Sequence, residues 1–171
     1  MITQPAPTIA WTFPRHPRTP GRARVQLLRQ AFEWRIPDES TEIAMLVLNE
    51  LVTNACHHAR GPRDRLIGVR LLLPALNLLR AEVSDASPDL PVRRHPTLND
   101  ESGRGLELVA ALATSWGAHP RGEGYIGKTV WFELTLPSPA NPPVVDGAFA
   151  ADATSTRAAL LDGEVPDWPA D

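Results

Sequence analysis

The sequence predicts an α/β two-layer sandwich, in which a mixed, mostly antiparallel sheet carries helices on one of its faces. Three segments have apolar residues at helical spacing, and five shorter segments have the alternation and composition of strands. Along the chain they read strand, helix, helix, hairpin, helix and hairpin, an order typical of helices packed on an antiparallel sheet. The 171 residues suffice for one domain with a sizeable core.

The first part of the chain supplies one strand and two helices. Residues 9–13 predict a short strand, which Pro14 closes. Residues 22–34 predict an amphipathic helix that covers the sheet with four side chains: Val25, Leu28, Ala31 and Phe32. A second helix begins near Ser40, behind a run of capping and acidic residues, and ends at Gly61.

The second part supplies the remaining strands and one helix. Residues 66–73 and 77–85 predict a hairpin, and the alternation of the second strand places Asp85 on its buried face. Residues 86–102 lack periodicity and predict a long loop, which at this length is usually either functional or disordered. Glycines at 103 and 105 open a helix to residue 113, and a hairpin of residues 115–119 and 129–136 completes the domain.

Composition limits the function classes. A net charge of -3 without a block of like charges gives no indication of a nucleic-acid partner. No apolar segment approaches the length that spans a bilayer and the chain has a single cysteine, so we expect a cytoplasmic protein without membrane contact. Residues 1–136 form the expected domain, and the proline- and alanine-rich acidic residues 137–171 predict a disordered tail.

Two polar residues interrupt the apolar stripe of the central helix. Glu50 and Asn54 lie one turn apart, within a stripe that the spacing assigns to five apolar residues: Ile43, Leu46, Val47, Leu51 and Ala55. Burying a carboxylate without partners costs several kcal/mol, so a magnesium-nucleotide bound against them is one explanation. A structural pair that caps a loop or binds buried water is the alternative that stays open.

Two further features line up after this helix. Asp85 ends a strand on its buried face, and Gly103-Arg104-Gly105 stands at a helix start, where exposed backbone amides and the positive end of the helix suit a phosphate. A glycine pair before a helix is by itself more often a plain turn. Cys56, His57 and His58 do not predict a zinc site, because neighbours on a helix point about 100° apart.

Taken together, these motifs resemble the GHKL ATP-binding superfamily, which includes gyrase-type ATPases and histidine-kinase catalytic domains. Glu50-Leu51-Val52-Thr53-Asn54-Ala55, followed by His58-Ala59, resembles its N-box. Asp85 resembles its adenine-reading aspartate, Gly103-Arg104-Gly105-Leu106 its second glycine box, and Gly127-Lys128-Thr129 its last motif. Within the superfamily the chain is most similar to stand-alone anti-sigma-factor serine/threonine kinases of Gram-positive bacteria, in which a Trp-Gly pair, here Trp116-Gly117, is usual.

The resemblance implies a role for each matching residue. Glu50 would be the general base, Asn54 would coordinate Mg²⁺ bridging the phosphates of ATP, and Asp85 would accept the adenine amino group with Thr129 close by. The phosphates would be held at the end of a lid, residues 86–102, by the glycine box: Gly103, Arg104, Gly105 and Leu106. His58 would be a hydrogen-bond partner of Glu50 or of the lid.

The function implied is an ATP-dependent serine/threonine protein kinase. It would phosphorylate a serine of an anti-anti-sigma protein with a STAS domain, and would sequester a sigma factor. The family often forms homodimers, for which Trp11 and Phe13 are candidates, although core burial explains both equally well.

One departure from the family pattern favours a different class. The chain reads Asp85-Ala86-Ser87-Pro88 where the family has glycines after the aspartate, and glycine is what lets a backbone approach a ligand closely. The alternative is therefore a non-catalytic switch that binds protein partners with or without nucleotide. Plain ATP hydrolysis is a third hypothesis.

Overall fold

A computed structural model describes residues 6–58, 65–91, 104–122 and 124–142, and for His58 and Arg104 it describes the backbone alone. Several sequence predictions lie outside these residues: Gly103, most of the 86–102 lid, and most of the 137–171 tail. Residues 137–142 of that tail are described, and there Ala140 is buried and its backbone N–H donates a hydrogen bond to the Leu76 carbonyl oxygen.

The described residues form five strands and three helices in the predicted order. The strands are β1 Thr8–Pro14, β2 Leu66–Ala75, β3 Leu78–Asp85, β4 Ser115–Pro120 and β5 Lys128–Thr135. The helices are α1 Thr19–Glu33, α2 Asp38–His58 and α3 Arg104–Leu112. The strand order is β1-β2-β3-β5-β4, and every pairing in the described chain is antiparallel, so the sandwich is confirmed with a purely antiparallel sheet in place of a mixed one.

The core lies between one face of this sheet and the helices. Alternate residues of β2 and β3 are buried there, as period-two packing requires: Ile67, Val69, Leu71, Leu73, Leu79, Ala81 and Val83. From α2 the fully buried side chains are Ala44, Val47, Leu48 and Val52. Leu46, which the sequence assigned to the buried stripe, is 55% exposed, because α2 is rotated toward Ala44 and Leu48.

Helix α1 buries Ala31, one of the four side chains expected to cover the sheet, but exposes much of the other three, which are its large apolar residues. Its buried side chains include Ala23, Leu27 and Ala31, whereas Val25 and Leu28 are half exposed and Phe32 is 85% exposed. Small residues let α1 approach α2 closely, so the packing favours the alanine face over the bulkier one. The exposed three stand at i, i+3 and i+7 and form an apolar stripe on the surface of α1.

The aromatic residues proposed for a dimer interface belong to β1. Phe13 is buried in the core, and Trp11 is half-buried and packs against it. Core packing therefore accounts for both side chains.

The Trp-Gly pair has a packing reason in the sheet. Gly117 on β4 lies opposite Trp131 on β5, and a Cβ at Gly117 would come within 2.8 Å of the indole ring. The guanidinium of Arg80 stacks on the same ring, 4.0 Å from its centroid. Glycine at 117 thus leaves room for the Trp131 ring to lie against the β4 backbone.

A charged network covers the sheet face around Trp131. Arg80 donates hydrogen bonds to Glu82 at 2.8 Å and to Glu133 at 2.9 Å, and Ser115 Oγ donates to Glu133 at 2.7 Å. Burial opposes the charge of Arg80, but the two carboxylates outweigh it and raise the arginine pKa above its usual value. The hydrogen bond from Ser115, followed by that from Arg80, lowers the pKa of Glu133 below 4.5.

The Glu133 shift predicts a pH-dependent contribution to stability. Because the pKa is lowered in the fold, the contribution is fully present above pH 4.5 and is lost as the pH falls through the lowered value. We expect Glu133→Gln to reduce the free energy of unfolding by about 0.5–1 kcal/mol at pH 7 and by less at pH 3.5. Urea denaturation of both proteins at the two pH values measures this loss of unfolding free energy. Glu42→Gln, at an exposed position of α2, is the control, and an equal loss at both pH values would contradict the prediction.

Candidate nucleotide site

Helix α2 carries Glu50 and Asn54 toward one end of the sandwich. Their neighbours Leu51 and Ala55 are buried and fix the rotation of the helix, which leaves Glu50 and Asn54 half-buried at the edge of the core. Within the described ranges neither side chain has a hydrogen-bond or ion-pair partner. The alternative of a structural pair that caps a loop or binds buried water stays open, because residues 59–64 and 92–103 lie outside the described ranges.

The start of α3 lies directly against this pair. A Cβ added to Gly105 would stand 2.9 Å from Glu50 Oε2 and 3.3 Å from Asn54 Nδ2. Gly105 is the second residue of α3, so the positive end of that helix faces the carboxylate and the amide. The fold thus brings together two motifs that are about fifty residues apart in the chain, and glycine at 105 permits the contact.

The donor set suits Mg²⁺ held jointly with phosphates. Mg²⁺ prefers oxygen ligands and usually takes only one or two from the protein, the rest coming from water and substrate phosphates. The described residues include no group of three or more His, Cys, Asp or Glu side chains that could hold a metal ion alone. Asn54 can supply one oxygen ligand beside the α3 N-terminus, so the site fits a magnesium-nucleotide better than a free metal ion.

Asp85 lies at the end of β3, on the core face as predicted. It is 3% exposed, and its Oδ1 accepts hydrogen bonds from the Ser87 backbone N–H at 2.7 Å and from Lys128 Nζ at 3.0 Å. The segment after Asp85 therefore folds back onto the carboxylate, with Ser87 itself buried. This turn takes the place of the glycine-containing segment that the family pattern has there.

The register of β3 and β5 corrects the position expected for Thr129. Asp85 pairs with Lys128, whereas Thr129 pairs with Ser84, and the two threonine and serine hydroxyls lie 2.8 Å apart. Because successive strand residues point to opposite faces, Thr129 lies on the face away from the Asp85 carboxylate. The side chain close to Asp85 is Lys128, which sequence reasoning missed, although its place next to Gly127 in the last motif was a signal.

The remaining expected site residues are only partly described. Leu106 is half-buried in α3, and the backbones of Arg104 and His58 begin α3 and end α2. The side chains of Arg104 and His58, and all of Gly103, lie outside what the structure describes, so their roles stay predictions.

Cys56 belongs to a contact between α2 and the chain before α1. Its Sγ lies 3.6 Å from the backbone oxygen of His16. Burial raises the pKa of this thiol above 9.0, although the hydrogen bond to His16 and the charge of Arg15 oppose the shift. The thiol is consequently protonated at neutral pH and is a structural group in this fold.

The comparisons with known proteins agree with this fold. A family model described as histidine kinase-like ATPase domain matches residues 13–133. That range includes α2, Asp85, α3 and most of β5, and the match confirms the resemblance to the superfamily. A search of curated proteins found no significant match.

Among solved structures, one similar chain comes from the crystal structure of the RsbU and RsbW domains of Rv1364c from Mycobacterium tuberculosis. The TM-score is 0.56 at 20% identity, and the alignment covers 83% of this chain and 35% of that one. The present chain thus spans about a third of that protein, and the likeness shows the fold. In the described part of the chain no helix is long and apolar enough to cross a membrane.

Proposed function

The chain belongs to the family of histidine kinase-like ATPase domains, and on this premise we propose that it is a regulatory serine/threonine protein kinase of the anti-sigma-factor type. It binds ATP with Mg²⁺ and transfers the terminal phosphoryl group to a serine of an anti-anti-sigma protein with a STAS domain. The chain would also bind and sequester a sigma factor. The observation that carries the proposal is the approach of Gly105 to Glu50 and Asn54.

This arrangement suits phosphoryl transfer because that reaction needs little covalent chemistry from the protein. Catalysis there consists mostly of positioning and of neutralising charge around the transferred group. Asn54 would hold Mg²⁺ on the phosphates, and the backbone amides at the start of α3 would face the phosphate oxygens. Glu50, which has no partner within the described residues, is free to orient the serine hydroxyl and accept its proton.

The nucleobase end of the proposed site is assigned to Asp85. Asp85 is a buried carboxylate that the sheet holds in a fixed position, and it is the acceptor expected for the amino group of adenine. Its Oδ1 is occupied by Ser87 and Lys128, which leaves Oδ2 for a ligand.

A second candidate function has its own supporting observation. The turn Asp85-Ala86-Ser87-Pro88 places backbone and a buried serine where glycines would let a nucleotide approach. A protein in which this turn has closed the site would act as a non-catalytic switch that binds its partners through the same fold.

Gly105→Ala tests the kinase proposal. The methyl group would displace the Glu50 carboxylate and the Asn54 amide, both of which are ends of flexible side chains, so the fold is kept while their geometry changes. We expect phosphoryl transfer from ATP to the STAS partner to fall about tenfold or more, since small misplacements of reacting groups are costly. Transfer of labelled phosphate in the presence of Mg²⁺, with and without EDTA, measures it.

Gly21→Ala is the matched control. Gly21 also lies in a helix, α1, and an added Cβ there meets only the Arg24 guanidinium at 3.9 Å, so transfer should be unchanged. Undiminished transfer in Gly105→Ala would count against the site. Absence of transfer by the unmodified protein, with the partner still bound, would favour the switch.

A further inference from the structure

A buried ion pair of opposite charges stands at the nucleobase end of the site. Lys128 is the first residue of β5 and Asp85 the last of β3, and the two are direct cross-strand partners. The ammonium nitrogen lies 3.0 Å from Asp85 Oδ1, with Lys128 8% and Asp85 3% exposed. Both groups are therefore removed from water and fixed relative to each other.

The backbone of Gly127 makes this pairing possible. Gly127 has φ +121°, and a Cβ there would overlap the Asp85 carbonyl oxygen at 1.9 Å. The chain at the start of β5 thus passes directly against the end of β3. As a result, the Lys128 side chain leaves the backbone next to Asp85.

The pair keeps hydrogen-bonding capacity that the protein does not use. Within the described residues Lys128 Nζ makes one hydrogen bond, although an ammonium has three N–H donors, and Asp85 Oδ2 makes none. Among the same residues no completely buried side-chain polar atom lacks a partner, so Oδ2 retains some exposure. Buried polar groups are normally satisfied, and the unused donors and acceptor therefore point to a ligand.

The ligand edge that fits is a hydrogen-bond donor next to an acceptor. Adenine has this pattern, with its exocyclic amine beside ring nitrogen N1. We infer that Lys128 is a second base-reading residue, which donates to adenine N1 while Asp85 Oδ2 accepts from the adenine amine. The inference rests on the proposed function, because it assigns a further contact to the same nucleotide site. It also explains how a site without the usual glycines can hold the base through side chains.

The test compares ATP with 1-deaza-ATP, in which N1 is replaced by C–H and the amine is kept. Calorimetric titration of both nucleotides with Mg²⁺ into the full chain should give at least about tenfold tighter binding of ATP, the effect of leaving a buried donor unpaired. In Lys128→Met the ratio of the two dissociation constants should fall to about one. Where Lys128→Met does not fold, the ratio for the unmodified protein decides alone.

Three results would overturn the inference. Equal binding of ATP and 1-deaza-ATP by the unmodified protein means that Lys128 only positions Asp85, and the proposed function stands. Tighter binding of ATP by Lys128→Met means that the lysine fills the base site. If the unmodified protein binds neither nucleotide, the proposed function fails together with the inference.

Discussion

Replacing Gly127 with alanine is expected to destabilise the fold by at least about 3 kcal/mol. The residue has φ +121°, a conformation that side chains rarely adopt, and the new Cβ would lie 1.9 Å from Asp85 O and 2.9 Å from Ala86 Cα. These are backbone atoms in and beside β3, so they cannot move aside as a flexible side chain does. Relief would require β5 to separate from β3, which breaks the central pairing of the sheet.

Substitutions at two nearby glycines distinguish the two causes of this destabilisation, backbone strain and steric overlap. Gly122 has open space around its Cα and an ordinary φ, whereas Gly124 has open space but φ +84°. We expect Gly122→Ala to be close to neutral and Gly124→Ala to lose about 1 kcal/mol from backbone strain. The difference between the variants at 124 and 127 then measures the steric overlap. Urea denaturation of all three variants provides the numbers, and similar losses at 124 and 127 would refute the steric explanation.

The residues of the candidate site show what local sequence can and cannot predict. Alternation along β3 placed Asp85 on the buried face, and helical spacing placed Glu50 and Asn54 within the apolar stripe of α2, because both patterns depend on neighbours in the chain. The identity of the side chain beside Asp85 depended on strand register across 43 residues. A shift by one residue exchanges Lys128 for Thr129 at the site, and no local pattern fixes that choice.

Helix α1 shows a second limit of local reasoning. Its sequence has two apolar faces, one with Val25, Leu28 and Phe32 and the other with Ala23, Leu27 and Ala31. Hydrophobicity favours the first, but the shape of α2 selects the second, since close helix contact needs small residues. Which face is buried is therefore a property of the pair of helices and is not contained in either one.

Glu50→Gln is expected to reduce phosphoryl transfer to the STAS partner by about a hundredfold or more, the usual loss when a general base is removed. Glutamine keeps the size of the side chain and its contact with Gly105, but its amide cannot accept the serine proton. Nucleotide binding should stay within about threefold, because the groups proposed to read the base, Asp85 and Lys128, are untouched. Transfer rates and calorimetry with Mg²⁺-ATP measure the two quantities separately, and Glu42→Gln, exposed on the same helix, is the control.

The pattern of losses in Glu50→Gln distinguishes the three functions. Loss of transfer with intact nucleotide binding supports the kinase, because only the proton-accepting step has been removed. If phosphate is instead released from ATP without any partner, and this release disappears in Glu50→Gln, then the same carboxylate activates water and the protein is an ATPase. If neither protein transfers or releases phosphate while both bind the partner equally, the carboxylate has no chemical role. The turn after Asp85 would then be the feature that made this fold a switch.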